Sequence, residues 1–137
     1  MEFKIIEKPA LNFVLCYGDN EENVSNLIKE FITNNDIKDA KIFTSEFRVS
    51  QGGKSQVAYM RYATVPDNIK SSSGFQVISV SASKYLSCKL DSLDQLYGKN
   101  TEAEEFLEKN NLKMDMAKLA PMIETNEEGK FLLIKLK

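Results

Sequence analysis

The side chains best suited to chemistry in this 137-residue sequence are one strand carboxylate, a few aromatics and two thiols. Glu124 follows Pro121, Met122 and Ile123 in a run that reads as a strand. In an apolar surround its carboxylate would pair with a cation or act as a base of raised pKa. On an open strand beside the Asn126-Glu127-Glu128-Gly129 turn it would be a solvated residue and nothing more. Tyr59 and Tyr62, with Phe43 and Phe47, would offer a stacking or cation–π surface. An odd spacing in one strand sends Tyr59 and Tyr62 to opposite sides, so at most one lines any given pocket. The competing reading makes all four aromatics core or cross-strand partners. Cys16 and Cys88 would be reactive thiols only beside a cation that lowers their pKa, and only Lys89 is close in sequence. As small buried strand residues they need no such partner.

The rest of the inventory narrows the chemistry further. There is no His, which removes Ser-His-Asp and Cys-His machinery, His metal sites and His acid–base catalysis. Two cysteines make neither a disulfide scaffold nor a four-cysteine zinc site, so no metal and no cofactor are expected. Glu21-Glu22 and Glu102, Glu104 and Glu105 read as solvated helix faces, with no spacing that singles out an acid and a base. Gln51-Gly52-Gly53-Lys54 lacks the spacing of a phosphate loop and a following helix, and reads as a hairpin turn. No catalytic residue is assigned, and an enzyme is the least expected class because no nucleophile–base pair is evident.

Lys and Arg number 18 against 20 Asp and Glu, a net charge of −2 that disfavours direct nucleic-acid binding. The opening residues are interrupted by charges and lack the apolar core of a signal peptide. No stretch approaches the roughly 18 apolar residues of a membrane span. The expectation is a cytoplasmic protein with reduced thiols and no membrane partner. Abundant Lys over Arg, with many Asn, hints at an AT-rich bacterial genome. Hydrophobic residues make up 42%, enough for one compact core at this length.

These side chains must be held by the elements around them. Phe3 to Tyr17 reads as an extended run with Pro9 at an edge or kink. Asp19-Asn20 offers an N-cap, and Val24, Leu27, Ile28, Phe31 and Ile32 form the apolar stripe of a helix ended by Asn34-Asn35-Asp36. Lys41 to Ser50 and Gln56 to Val65 read as strands of a hairpin around Gly52-Gly53. Pro66-Asp67-Asn68 and Ser71-Ser72-Ser73-Gly74 form a connector. Phe75 to Lys89 is strand-like, and Ser92-Leu93-Asp94-Gln95 has capping-box spacing before a second helix, with Gly98 and Asn100 expected to break or kink it. A strand through Met122 and Ile123, a turn at Asn126-Gly129 and a closing strand Lys130–Leu136 complete the chain.

The two halves repeat. A shift of 72 carries Phe3 onto Phe75, Ile5 onto Val77, Phe13 onto Tyr85, Val14 onto Leu86 and Cys16 onto Cys88. After a three-residue insertion around Gly98-Lys99-Asn100, Phe31 falls on Phe106, Ile32 on Leu107 and Ile37 on Leu112. The expected fold is α+β: duplicated β-α-β-β repeats, 1–68 and 74–137, forming one mainly antiparallel sheet with two helices on one face in a single domain. A cleft between repeats would be the natural seat of a small ligand.

In this pattern the sequence resembles the GyrI-like family of gyrase-inhibitory proteins and effector-binding domains. The resemblance rests on the opening run Ile5–Gly18 with its Pro9, on the duplicated element order, and on Pro121-Met122-Ile123-Glu124 before a turn and terminal strand. It implies a pseudo-symmetric aromatic pocket with a buried Glu that pairs with lipophilic cations, a role that falls on Glu124. The chain departs from the family pattern in having no acidic residue in Lys130–Leu136, no Pro near that strand's end and no Trp. A helix-turn-helix finds no room in it. The resemblance therefore implies a stand-alone binding domain for lipophilic or cationic small molecules, with Glu124, Tyr59, Tyr62 and Phe47 as ligand-binding candidates. The alternative is a protein-interaction or accessory module on the same scaffold with a degenerate pocket, its partner a protein rather than a small molecule.

Overall fold

A computed structural model describes residues 3–92, 96–115, 119 and 121–137. In chain order the elements are β1 (Phe3–Lys8), β2 (Leu11–Gly18), α1 (Glu21–Asn34), β3 (Ile42–Gln51), β4 (Lys54–Val65), β5 (Gln76–Val80), β6 (Ser83–Leu90), α2 (Leu96–Lys109), β7 (Met122–Asn126) and β8 (Gly129–Lys135). The class is α+β, with antiparallel ladders and two helices, as the sequence pattern implies. The opening run of each half is divided in two. Pro9 has no N–H to continue a ladder, so β1 ends before it and β2 starts beyond it with a different neighbour.

The chain forms two compact units, one of Leu11–Ser79 and one of Met1–Ala10 with Val80–Lys137. In the first, the strand order is β3-β4-β2-β5. Helix α1 covers one face of it. Asn20 accepts a bond from the Asn23 N–H at 3.0 Å and caps the helix start. Val24, Ile28 and Phe31 of α1 are buried against Val14, Cys16, Ala63 and Val65 of the sheet. Each such side chain removed from water contributes about 1.5–3 kcal/mol, which is what fixes a helix of this length in place. Phe31 also stacks on Phe75, ring centres 4.7 Å apart. The β3–β4 hairpin turns through Gly52 and Gly53 at φ +61° and +78°. Two successive positive φ angles are the geometry that favours glycine in a two-residue hairpin loop.

In the second unit the order is β1-β6-β8-β7. Ala103 and Leu107 of α2 pack on Leu86, Leu132, Ile134 and Ile123, and Phe3 of β1 meets Phe106 at 5.1 Å. Alternation along the strands then assigns Lys8, Tyr85, Met122, Glu124, Leu133 and Lys135 to the face that α2 does not cover. Contrary to the sequence expectation, α2 runs through Gly98 and Asn100 without a break. Gly98 is among its first four residues, whose N–H groups have no partner within the helix, so a poor helix former costs least there, and Asn100 follows within the same opening stretch. Of the expected capping box, Leu93, Asp94 and Gln95 lie outside the described residues.

Repeat spacing is kept in the elements. β6 begins 72 positions after β2 (Ser83 against Leu11), and α2 begins 75 after α1 (Leu96 against Glu21). Strand β1 pairs with β6, and β5 lies beside β2. Each repeat thus gives its first strand to the unit otherwise built by the other.

Candidate functional site

Glu124 lies in the middle of β7, opposite Phe131 of β8. Its neighbours in the strand alternate as they should: Ile123 joins the core under α2, while Glu124 points to the uncovered face. That face is nonetheless shielded. Tyr85, Met122 and Leu133 on it are each 1% exposed. The Glu124 side chain is 13% exposed, and Lys8 Nζ donates to its Oε1 at 3.2 Å from a side chain that is 16% exposed. The solvated-strand reading of Glu124 does not describe this residue.

Lys8 is well placed for the role. It is the last residue of β1, in register with Ser83 of β6. The following Pro9 disfavours the helical region for Lys8 and keeps it extended, so its stem leaves the strand in a fixed direction. Lys8 also lines a cleft of about 710 Å³ whose walls include Glu7, Lys84, Asp115 and Lys135. There a second ion pair closes: Lys135 Nζ donates to Asp115 Oδ2 at 2.8 Å from a nearly buried side chain. The backbone holds the same two residues together, since the Asp115 N–H donates to the Lys135 carbonyl at 2.8 Å.

Tyr85 completes the face. It lies in register with Ile6 on one side and Lys135 on the other. Its hydroxyl is buried and has no hydrogen-bond partner among the described residues. Burial pushes the Tyr85 hydroxyl above its ordinary value of 10.0, so it stays a proton donor. A buried hydroxyl without a partner carries a desolvation cost, and a ligand atom that accepts from it would remove that cost.

The aromatic candidates belong to the other unit. Tyr59 and Tyr62 stand on opposite faces of β4, as their spacing requires. Tyr59 packs partly buried against the α1 core. Tyr62 is 3% exposed on the other face, where Phe13 meets it edge-on at 6.0 Å and meets Phe43 at 5.6 Å. Phe47 lies in β3 in register with Ala58, and its side chain lies outside the described residues. The same holds for Tyr97 of α2. Cys16 and Cys88 are both buried, each at the same place in its repeat. Burial pushes both thiols up; Arg61 opposes this at Cys16, and Lys99 opposes it at Cys88. The direction is that of inert structural thiols.

Sequence reasoning did not single out Lys8, Tyr85 or Arg61. Tyr85 had a signal, because the repeat sets it on Phe13, and both are fully buried on the face away from the helix. Lys8 had none, since its partner lies 116 positions away. Arg61 alternates with apolar strand residues yet is 6% exposed, with Nε bonded to Ser25, Nη1 to the Met60 carbonyl and Nη2 to Glu21. Among the described residues, no group of His, Cys, Asp and Glu could hold a metal ion and no helix is long and apolar enough to cross a membrane.

No family model matches the sequence, and a comparison with the curated proteins finds no match. Solved structures do resemble the fold. The C-terminal domain of EcmrR superposes with a TM-score of 0.65 at 11% identity, covering 99% of this chain and 97% of that one. A hydrolase from Listeria innocua gives 0.62 at 10% identity over 99% and 92%. SAV2435 bound to tetraphenylphosphonium gives 0.53 at 15% identity over 100% and 94%. At these identities the likeness is one of fold.

Proposed function

We propose that this chain is a small-molecule-binding domain of the GyrI-like type, which takes a lipophilic ligand at the face carrying Glu124. The observation that carries the reading is the shielded carboxylate. An ion pair withdrawn from water is costly, and apolar side chains of the same size would pack the face as well or better. A charge kept on the face that also carries Tyr85 and Met122 marks a site rather than a core. A fold neighbour bound to tetraphenylphosphonium supports the choice of ligand class. Tyr59, Tyr62 and Phe47 belong to the other unit and are tested separately, by alanine substitution.

The experiment is a thermal-shift screen of wild type and Glu124→Ala against lipophilic cations and neutral aromatic compounds. A ligand at about 100 times its dissociation constant stabilises the folded state by about 2.7 kcal/mol. Stabilisation of wild type that is lost in Glu124→Ala is the expected result. No stabilisation by either class overturns the reading.

The second reading, a protein-interaction module, is favoured by one observation. Ile5 is 47% exposed on β1, the end strand of its unit's order. An exposed edge with an apolar residue can add a partner strand. This reading predicts no ligand stabilisation and a partner whose capture is abolished by Ile5→Asp.

A further inference from the structure

We propose that Lys8 determines the ligand's charge class: as the standing counter-ion of Glu124, it makes this face select neutral lipophilic ligands with a hydrogen-bond acceptor over lipophilic cations. The inference rests on the reading of the Glu124 face as a ligand site and adds to it a residue and a selectivity.

A lone carboxylate on a shielded face would draw a cation, because its field is weakly screened there. Here the carboxylate already holds an ammonium at 3.2 Å. An incoming cation must either displace Lys8 into a less favourable place or sit beside a like charge. Lys135, buried on the same face, is likewise closed by Asp115 at 2.8 Å. The four groups sum to no net charge, and neither pair leaves a bare charge to be matched. What the face does leave unsatisfied is the Tyr85 hydroxyl, buried and without a partner among the described residues. That is a donor without an acceptor oxygen or nitrogen, on the same face as the buried Met122 and Leu133, while Lys8 and Lys135 of that face line the cleft by which a ligand would enter. Such a face discriminates by desolvation. A neutral acceptor gains a bond at Tyr85, whereas a cation gives up its hydration for a carboxylate that is already paired.

The test compares two probes of similar shape, tetraphenylphosphonium and neutral triphenylphosphine oxide, by calorimetric titration. The proteins are wild type, Lys8→Arg, Lys8→Met and Lys8→Gln. Wild type and Lys8→Arg are expected to bind the oxide at least tenfold tighter than the cation. Lys8→Met is expected to shift that ratio at least tenfold toward the cation, because Glu124 then lacks this ammonium. Lys8→Gln is expected to shift it the same way and stands in if the Met variant does not fold. Tyr85→Phe should weaken the oxide and leave the cation unchanged. Wild type that prefers the cation, or Lys8 variants that bind with an unchanged ratio, would overturn the inference and leave the binding reading standing. Binding of neither probe class by any variant would overturn both.

Discussion

Lys8 and Glu124 are 116 positions apart in the chain, and their charged groups stand 3.2 Å from each other on the sheet face opposite α2. Removing one partner leaves the other charged and shielded. Removing one member of a fully buried pair costs about 3–5 kcal/mol, and the residual exposure of both side chains brings the expectation down to about 1–3 kcal/mol for Glu124→Gln or Lys8→Met. Changing both together, Lys8→Met with Glu124→Gln, should leave stability within about 1 kcal/mol of wild type. Urea unfolding of the four proteins checks this. If the double variant loses the sum of the two single losses, the residues are not coupled.

Alkaline pH should destabilise the protein. Burial raises the pKa of Cys16 and Cys88 above their ordinary value of 9.0, and that of Tyr62 and Tyr85 above 10.0. A raised pKa means that the folded state holds a proton the unfolded state releases. The stabilisation is therefore complete below the unfolded value and is lost as pH climbs through the folded one. Each such group adds a slope of up to about 1.4 kcal/mol per pH unit within its window. The melting temperature should begin to fall near pH 9 and fall faster above pH 10. Tyr85→Phe should flatten the second part alone, and an unchanged profile in that variant would remove Tyr85 from the account.

Helix α1 should depend on its cap. Asn20 takes the Asn23 N–H, and Glu21 and Glu22 follow in the first turn, where negative charge suits the helix dipole. Asn20→Ala should cost about 1 kcal/mol and Asn20→Asp close to nothing. Chemical denaturation distinguishes them, and equal losses in both would mean that the side-chain oxygen does not cap.

What was legible in the sequence was whatever is local. Val24, Leu27, Ile28 and Phe31 announce α1 because helix period is a short-range property, and Gly52-Gly53 announces the hairpin because only glycine takes that turn cheaply. Repeat matching also worked, since Phe13 with Tyr85 and Cys16 with Cys88 take equivalent buried places. Local rules misjudged Gly98, because its cost depends on where the helix begins. They saw Pro9 as a kink but could not show that the two strands beside it take different neighbours. The candidate site was legible only as Glu124. Its counter-ion lies on a strand paired from the far end of the sequence, and no periodicity links residue 8 to residue 124.

Arg61 offers a test of how a buried cation is held. Its guanidinium bonds Glu21 at 3.2 Å, but the Glu21 side chain is 57% exposed, so water screens that pair. The bonds to Ser25 Oγ at 3.3 Å and to the Met60 carbonyl at 3.1 Å lie deeper. Glu21→Gln should therefore cost under about 0.5 kcal/mol, whereas Arg61→Met should cost about 1–2 kcal/mol even though it keeps an apolar stem. The same change has a second readout. Cys16 faces Arg61 across the β2–β4 ladder, and Arg61 is the charge that opposes the upward push of burial on its thiol. In Arg61→Met the Cys16 titration, followed by the ¹³Cβ shift, should move to higher pH. In Glu21→Gln it should stay in place. A Cys16 midpoint that is the same in all three proteins would show that the guanidinium does not act on the thiol, whatever it contributes to stability.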